Sequence, residues 1–278
     1  MSSLSAGSVF ADSGKECLAL GADLSDSEKE TVLELLDISE ENEYGGAEVI
    51  TVTNDDEHKY LDSYIDSSEI GSRALSSVLI REKSSDNTIS VETHNITYCT
   101  EGMYRNALAT AGVKGADVVV AGPFDISGTA ALVGTIKAYE ALSGEEVDDD
   151  VIESSVEEVL TTGDIGEDIG DTEKAEAIIA SVKEELADDP DMSDEDIRNI
   201  ILEASEKAGV ELTDEQIDTI VNMLKRMKDS GVDWDNIKEQ SASIMESFKD
   251  FVSSDETKNA FEKFFNWISD IFSGIMGK

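Results

Sequence analysis

Hydrophobic residues in the first half of the chain follow two different periods, and this alternation predicts strands separated by helices. The segments Cys17 to Ala22 and Glu48 to Thr53 have the short apolar or alternating pattern of strands. The run from Ala116 to Ala121 is apolar and rich in valine, as expected for a strand that is buried in a sheet. Between these segments apolar residues recur every three or four positions, for example within 26–36, which indicates helices.

The order strand, helix, strand and helix occurs twice, once at 17–65 and once at 88–140. Ser25 begins the first helix of one unit with a Ser-x-x-Glu capping box, and Thr100 has the matching place in the other unit. Asn54 is the expected cap of the helix that closes the first unit. The shared order of these signals indicates an internal repeat.

Two further strand-like segments, Ser76 to Arg81 and Thr88 to Thr97, are separated by a polar turn that contains Asp86 and Asn87. The side chains of both turn residues can satisfy local backbone groups, so the two strands are predicted to form a hairpin. Two β-α-β-α-like units around a hairpin predict an α/β (α+β) domain with a mixed sheet, which we place at residues 15–145.

The pattern changes after Gly144, where only helical spacing remains. Good N-terminal caps occur at Ser193, Thr213 and Asp233, and the apolar residues that follow them repeat at three and four positions. An all-α domain is therefore expected over residues 146–278.

The first residues of the chain have no basic stretch and only a short apolar piece. The tripeptide Val9-Phe10-Ala11 before Asp12 resembles the end of a signal-peptide cleavage site whose hydrophobic part is missing. We interpret residues 1–14 as a residual leader or a disordered segment.

The last predicted helix, Thr257 to Met276, is apolar over more than half of its circumference. Such a wide stripe is expected to be buried against a neighbour. Three neighbours fit: the helical domain itself, another protein or a second copy, and a lipid surface. The lipid surface is disfavoured because the polar face lacks the Lys and Arg that anionic head groups attract. The residues assigned to this interaction helix are Phe261, Phe264, Phe265, Trp267, Ile268 and Phe272.

The net charge of the chain limits which partners it can bind, and it says little about the fold. The chain has 63 Asp and Glu against 21 Lys and Arg, a formal net charge of -42. Such a surface repels phosphate backbones and anionic lipids, so nucleic acid is excluded as a partner and membrane binding is disfavoured. Acidity of this kind is typical of solubility in a salty or extracellular setting. No stretch approaches the roughly 20 apolar residues that span a bilayer.

The candidate chemistry is sparse. The two histidines, His58 and His94, lie on different elements without a second ligand at metal spacing, so no metal site is predicted. No cofactor fingerprint and no Gly-x-Ser-x-Gly elbow occurs. Cys17 and Cys99 begin matching parts of the two units, and they are either bonded to each other or free and buried.

A small-residue turn between the buried strand and the next helix allows two interpretations. The backbone of Gly128 and Thr129 with the Ser127 hydroxyl would receive an anion. Alternatively Ser127 caps the helix, and the small residues Ala130, Ala131 and Gly134 let it pack closely on the sheet. Ser127 and the polar strand Thr93 to Tyr98 are also the candidates for an enzymatic cleft, although no general base is evident from spacing.

Several segments together resemble one family. They are GADLS at Gly21, TVTNDDEHKYL at Thr51, IGSRALSS at Ile70, VETHNIT at Val91, ATAGVKGADVVVAGPFDISGTAAL at Ala109 and WDNIKEQ at Trp234. The chain resembles the YpuA-like family of secreted Firmicutes proteins, a domain of unknown function with the number 1002, over nearly its whole length. The resemblance implies a secreted or cell-envelope location and no established activity, cofactor or catalytic residue.

These observations favour an exported, non-enzymatic binding or interaction protein. The rival hypothesis is a hydrolase or ligand-processing enzyme that uses a polar cleft beside Ser127 and the strand Thr93 to Tyr98.

Overall fold

The structure, a computed structural model, describes residues 15–38, 44–64, 70, 72–83 and 86–241. The predicted leader at 1–14 and the aromatic interaction helix around Phe261 and Trp267 lie outside the described residues. Within the described ranges, none of the helices combines the length and apolar character needed to cross a bilayer.

The first half of the described chain contains strands and helices in alternation, and the second half contains helices. The strands are β1 (Glu16–Gly21), β2 (Glu48–Val52), β3 (Ser77–Glu82), β4 (Ile89–Ile96) and β5 (Ala116–Ile126). The helices near the sheet are α1 (Asp26–Leu35), α2 (Asn54–Leu61), α3 (Glu101–Thr110) and α4 (Thr129–Ser143). The later helices are α5 (Asp149–Ile169), α6 (Thr172–Asp188), α7 (Asp194–Lys207), α8 (Asp214–Ser230) and the described part of α9 (234–241). The predicted fold class, a mixed-sheet α/β part followed by helices, is confirmed.

Helix starts follow the capping chemistry of the sequence closely. Ser25 forms the expected capping box, and Thr100 accepts a hydrogen bond from the Met103 amide. The prediction for α2 was wrong by one residue, because the cap is Thr53, which exchanges hydrogen bonds with Asp56. Asn54 is instead the first helical residue. A threonine hydroxyl followed three positions later by a carboxylate satisfies two free backbone amides at once.

The sheet order is β2-β1-β3-β5-β4, and only β3 runs antiparallel to its neighbours. The predicted hairpin between β3 and β4 is wrong, since β5 lies between them and pairs with both. The reason lies in the side chains of β5. Val118 and Val120 belong to the core on one face, while Ala121 belongs to the core on the other. A strand that is apolar on both faces is stabilised in the sheet interior, whereas β4 has exposed Ser90 and Glu92 and takes the edge.

The two β-α-β-α-like units are not equivalent in the sheet. In the first unit β1 is internal and β2 is an edge, whereas in the second unit β4 is the edge and β5 is internal. Helix α1 packs on one face through Val32 and Leu33, and α3 and α4 pack on the other face. The interpretation of these units as an internal repeat therefore has no support in the sheet order.

Helix α5 joins the sheet region to the helices that follow. Its Val156 and Val159 belong to the same core as the sheet, while its Ile165 belongs to the core of α6, α7 and α8. Helix α9 packs against the sheet region. There the side-chain amide of Asn236 donates to the carbonyl oxygens of Ala109 in α3 and of Val113 just after it. The division into domains at 145 and 146 stays a prediction, because α5 serves both cores.

Candidate functional site

The pairing of β4 with β5 breaks at one place, and the break creates a protruding loop. His94 pairs with Ala121 and Ile96 pairs with Ile126, so four residues of β5 lie opposite Asn95. We call residues 122–125 the β5 bulge. The bulge begins where β3 ends its pairing, since Ser77 is the β3 partner of Ala121. Large bulges at sheet edges redirect side chains away from the sheet plane.

Asn95 and Gly122 hold the β5 bulge in its shape. Asn95 has a φ of 56°, a left-handed conformation that asparagine tolerates better than most residues, and its Nδ2 donates to the Gly122 carbonyl at 3.0 Å. A Cβ on Gly122 would lie 2.8 Å from the Phe124 carbonyl oxygen and 2.7 Å from Cγ1 of Ile126. The loop therefore closes tightly on itself, which accounts for the glycine.

Phe124 is the exposed apolar side chain at the top of the β5 bulge, with 49 % of its surface accessible. Asp125 beside it is also exposed. Among the described residues only two other large hydrophobic side chains are comparably exposed, namely Val49 at 42 % and Leu202 at 44 %. A phenylalanine displayed on a structured loop is a typical protein contact residue, because aromatic anchors dominate the energy of many interfaces.

The turn after the bulge does not have the predicted side-chain cap. Helix α4 is capped by Gly128, which has a φ of 90°, and among the described residues no side chain caps the free amides there. Ser127 is exposed, and its Oγ lies 3.4 Å from Oγ1 of Thr129. The alternative explanation by a Ser127 cap was wrong, while close packing through Gly134 is confirmed, since a Cβ there would lie 3.2 Å from Val52. Anion binding by Ser127, Gly128 and Thr129 stays a prediction.

The turn is anchored from below by buried groups of α3. The Tyr104 hydroxyl donates to the Gly128 carbonyl at 2.5 Å and also hydrogen-bonds the Cys99 thiol. A Cβ on Gly128 would lie 2.6 Å from that hydroxyl and 2.5 Å from Ile96. Because Tyr104 is fully buried, the β5 bulge and the turn rest on a rigid base.

The two cysteines are free and buried, so the disulfide alternative is not what the structure contains. Cys17 lies on β1 and Cys99 lies beyond the end of β4, with β3 and β5 between these strands. Three strand spacings of about 4.8 Å exceed the roughly 7 Å limit for the Cα atoms of a disulfide. Burial raises the pKa of Cys17 to about 11 and that of Cys99 to about 12, so both are protonated thiols at neutral pH.

The polar strand 93–98 does not assemble a catalytic group with Ser127 among the described residues. His94 faces Glu92, with Nε2 at 3.3 Å from Oε1, and the Ser127 hydroxyl is near Thr129 rather than a base. Thr97 donates its hydroxyl hydrogen to the Ile126 carbonyl. Tyr98 turns the other way and packs on α5, where a Cβ on Gly163 would lie 2.1 Å from its hydroxyl oxygen. Within the described part of the chain, no group of three potential metal ligands occurs.

The sequence did not reveal a charged pair buried between α3, α5 and α6. Nζ of Lys183 lies 2.6 Å from Oε1 of Glu158, and each side chain is 1 % exposed. Lys183 also donates to the Asn106 carbonyl and to the Thr110 hydroxyl, which in turn donates to Glu158. Burial lowers the pKa of Lys183, and the carboxylate opposes that effect. Helical periodicity places Lys183 near the apolar face of α6 but says nothing about its partner.

Besides Glu158, three other glutamates are buried, and burial raises the pKa of these three. Burial is the main cause for Glu57, Glu176 and Glu184, each of which has a pKa of about 7. Glu57 is 2 % exposed, and its Oε1 has no hydrogen-bond partner in the described part of the chain. Glu176 accepts from the Thr100 hydroxyl at the start of α3. In the folded protein these three carboxyl groups therefore bind protons near neutral pH.

Comparisons with known proteins agree on one family. The family described as "Protein of unknown function (DUF1002)" matches residues 20–244. The chain is 41 % identical over 223 residues to the uncharacterized protein YpuA of Bacillus subtilis (strain 168), covering 80 % of this chain and 76 % of that protein. No solved structure matches the chain.

Proposed function

We propose that this chain, which belongs to the DUF1002 family of proteins of unknown function, is an exported, non-enzymatic binding protein that contacts another protein through the β5 bulge. The observation that carries the proposal is the exposure of Phe124 on a loop that is fixed from both sides. Asn95 holds the start of the loop, and Tyr104 holds the turn that follows it.

Rigidity is what makes the exposed phenylalanine a binding feature. An exposed side chain on a flexible loop loses conformational freedom when it binds, and this cost weakens the complex. Hydrogen bonds hold the backbone on both sides of the β5 bulge, at Gly122 and at Gly128, and this reduces the cost of ordering the loop. The gross gain from burying the ring is then at most about 25 cal/mol per Å² of apolar surface.

The absence of a catalytic role is supported by the surroundings of the candidate residues. A serine nucleophile needs a base within hydrogen-bond reach, and the hydroxyl of Ser127 has Thr129 near it instead. The imidazole of His94 is directed to Glu92 on its own strand. The rival hydrolase would therefore need a rearrangement that brings His94 to Ser127.

Export is supported by the resemblance to a family of secreted proteins and by the net charge of -42. Fractionation of the bacterium that produces the protein tests this part directly. The expected result is recovery of the mature protein in the medium or in the envelope fraction. Recovery in the cytoplasmic fraction alone, with a cytoplasmic marker protein, would contradict the export proposal.

Site-specific photo-crosslinking tests the binding surface. A photoreactive phenylalanine analogue replaces Phe124 in the full chain, with Leu202 and Val49 as control positions of similar exposure. Irradiation of producing cells is expected to yield a discrete adduct from position 124 that the control positions do not form. Excess wild-type protein should compete for the adduct, whereas excess Phe124→Ser protein should not. Equal adducts from all three positions would refute the assignment of the β5 bulge.

A further inference from the structure

The outer edge of β4 is an open strand edge beside the β5 bulge. In the described part of the chain β4 pairs only with β5, and no strand covers its other side. The strand has eight residues, Ile89–Ile96. At about 3.3 Å per residue its length accommodates an added strand of typical size. Such an edge presents unpaired backbone amides and carbonyls, to which extended peptides can add.

The side chains of β4 alternate between two different surroundings. Val91 and Thr93 pair with Val118 and Val120 of β5, which belong to the core on the face covered by α3. Ser90, Glu92 and His94 point to the opposite face. A strand added beside β4 would therefore lie beside Val91 and Thr93 on one face and beside the polar side chains of Ser90, Glu92 and His94 on the other.

Most charged side chains near this edge are acidic, with His94 beside Glu92 and Lys83 beside Ser90 as the basic groups. Glu92 has 66 % of its side chain exposed, and Glu101 at the start of α3 and Asp125 in the β5 bulge are exposed as well. Lys83, the lysine that contacts Ser90 of β4, is itself paired with Asp117 at 3.0 Å. The edge thus adds local negative charge to a molecule of net charge -42. Charge complementarity selects a cationic partner and opposes pairing with a second copy of this chain.

We propose that β4 accepts an extended segment of another protein in which lysine or arginine alternates with apolar residues, and that this segment pairs with β4 as an additional strand. The basic side chains lie on the face of Glu92, and the apolar ones lie on the face of Val91. The inference rests on the proposed binding function and specifies the class of partner. Backbone pairing supplies affinity, and the alternation of charge and apolar side chains supplies specificity.

Peptide binding to the full chain tests this inference. The probe is a fluorescent peptide of alternating Lys and Val, and its binding is followed by fluorescence anisotropy. Two N-methylated forms carry the methyl groups on alternate amides, one form on the odd and one on the even positions. Only one set of amides faces β4 in an added strand, so one form is expected to bind about tenfold more weakly than the other. Equal binding by both forms would mean attraction by charge alone and would overturn the inference.

Two variants with the same change of charge locate the binding surface. Glu92→Lys lies on the edge strand, and Glu195→Lys lies on an exposed position of α7. The first is expected to weaken binding by about tenfold, and the second is expected to have the small effect of overall charge. Equal weakening would refute β4 as the site. A stable dimer of the wild-type chain that Glu92→Lys dissociates would also refute it, because a second copy would then occupy the edge.

The two proposals fail in different experiments. A specific crosslink from position 124 without peptide discrimination would leave the binding function intact and reject the basic extended partner. Peptide binding with the expected N-methyl pattern, but no crosslink at 124, would support strand addition and reject the β5 bulge as the contact in the cell.

Discussion

Two regions of this protein depart from the usual distribution of side chains: one buries a charged pair, and the other exposes an aromatic ring. The junction of α3, α5 and α6 buries the charged pair Lys183 and Glu158, and every donor and acceptor of the pair is used within the chain. The β5 bulge exposes Phe124 instead, on a loop fixed by Asn95. The buried pair links α6 to α3 and α5. The exposed ring contributes nothing comparable to the fold, which is why we assign it to binding.

The largest expected effect comes from breaking the buried pair. Lys183→Met removes the cation and leaves Glu158 charged in a dry environment, which costs about 3–5 kcal/mol of unfolding free energy. Denaturant titration at pH 7 measures this loss. The double variant Lys183→Met with Glu158→Leu is expected to regain much of the stability. If the double variant is as unstable as the single one, uncompensated charge is not the cause.

A second test uses the pH dependence of stability. The pKa values of Glu57, Glu176 and Glu184 are raised from the ordinary value to about 7, so the folded protein binds more protons than the unfolded chain between about pH 4.5 and 7. The contribution of these three groups to stability is therefore largest below this range, falls as pH rises from about 4.5 to 7 and levels off above 7. From pH 6 to pH 8 we expect a loss of about 1 kcal/mol per carboxyl group.

Replacing the three glutamates by glutamine serves as the control for this slope. The triple variant should lose most of the dependence between pH 6 and 8, while the general repulsion of an acidic surface remains. An unchanged slope in the triple variant would show that these three groups are not responsible.

A smaller effect is expected at the base of the rigid turn. Gly128→Ala puts a Cβ within 2.6 Å of the Tyr104 hydroxyl and requires a φ near 90°, so we expect a loss of about 2 kcal/mol. Gly144→Ala is the matched control, because Gly144 also has a positive φ but no described residue lies within 4 Å of its added Cβ. Thermal unfolding of both variants separates crowding from backbone strain. Equal losses would assign the whole effect to the backbone.

The smallest effect on stability is expected at the β5 bulge itself. Phe124→Ser should change the unfolding free energy by less than about 0.5 kcal/mol, as is usual for an exposed side chain. The same substitution should abolish competition for the crosslink described above. A large loss of stability would mean that Phe124 packs on its own chain, and the contrast between the two regions would disappear.

The local elements follow from the sequence because their causes are local. Ser25, Thr100, Ser193 and Thr213 begin helices as predicted, since a hydroxyl three positions before an amide caps it regardless of the surroundings. The strands follow from alternation of apolar and polar residues. The α2 cap shows the limit, because Thr53 and Asn54 are both good caps and only the folded backbone selects between them.

The arrangement of strands and the candidate site depend on contacts between distant segments. Nothing local in the segment from Ser76 to Thr97 prevents a hairpin. β5 displaces that pairing because it is apolar on both faces, with Val118 and Val120 in one core and Ala121 in the other. In the sequence Phe124 lies in the turn that follows the buried strand, and nothing local marks its side chain as exposed. Its exposure results from the bulge opposite Asn95, where the register of β5 shifts by three residues against β4.

The sequence by itself determined the elements, the caps, the acidity and the family, because each depends on residues near one another or on composition. Only the tertiary structure decided the sheet order, the free state of Cys17 and Cys99, the partner of Lys183 and the display of Phe124. The physical reason is that burial and pairing are properties of two segments together. A side chain becomes buried or exposed according to what the rest of the chain places beside it.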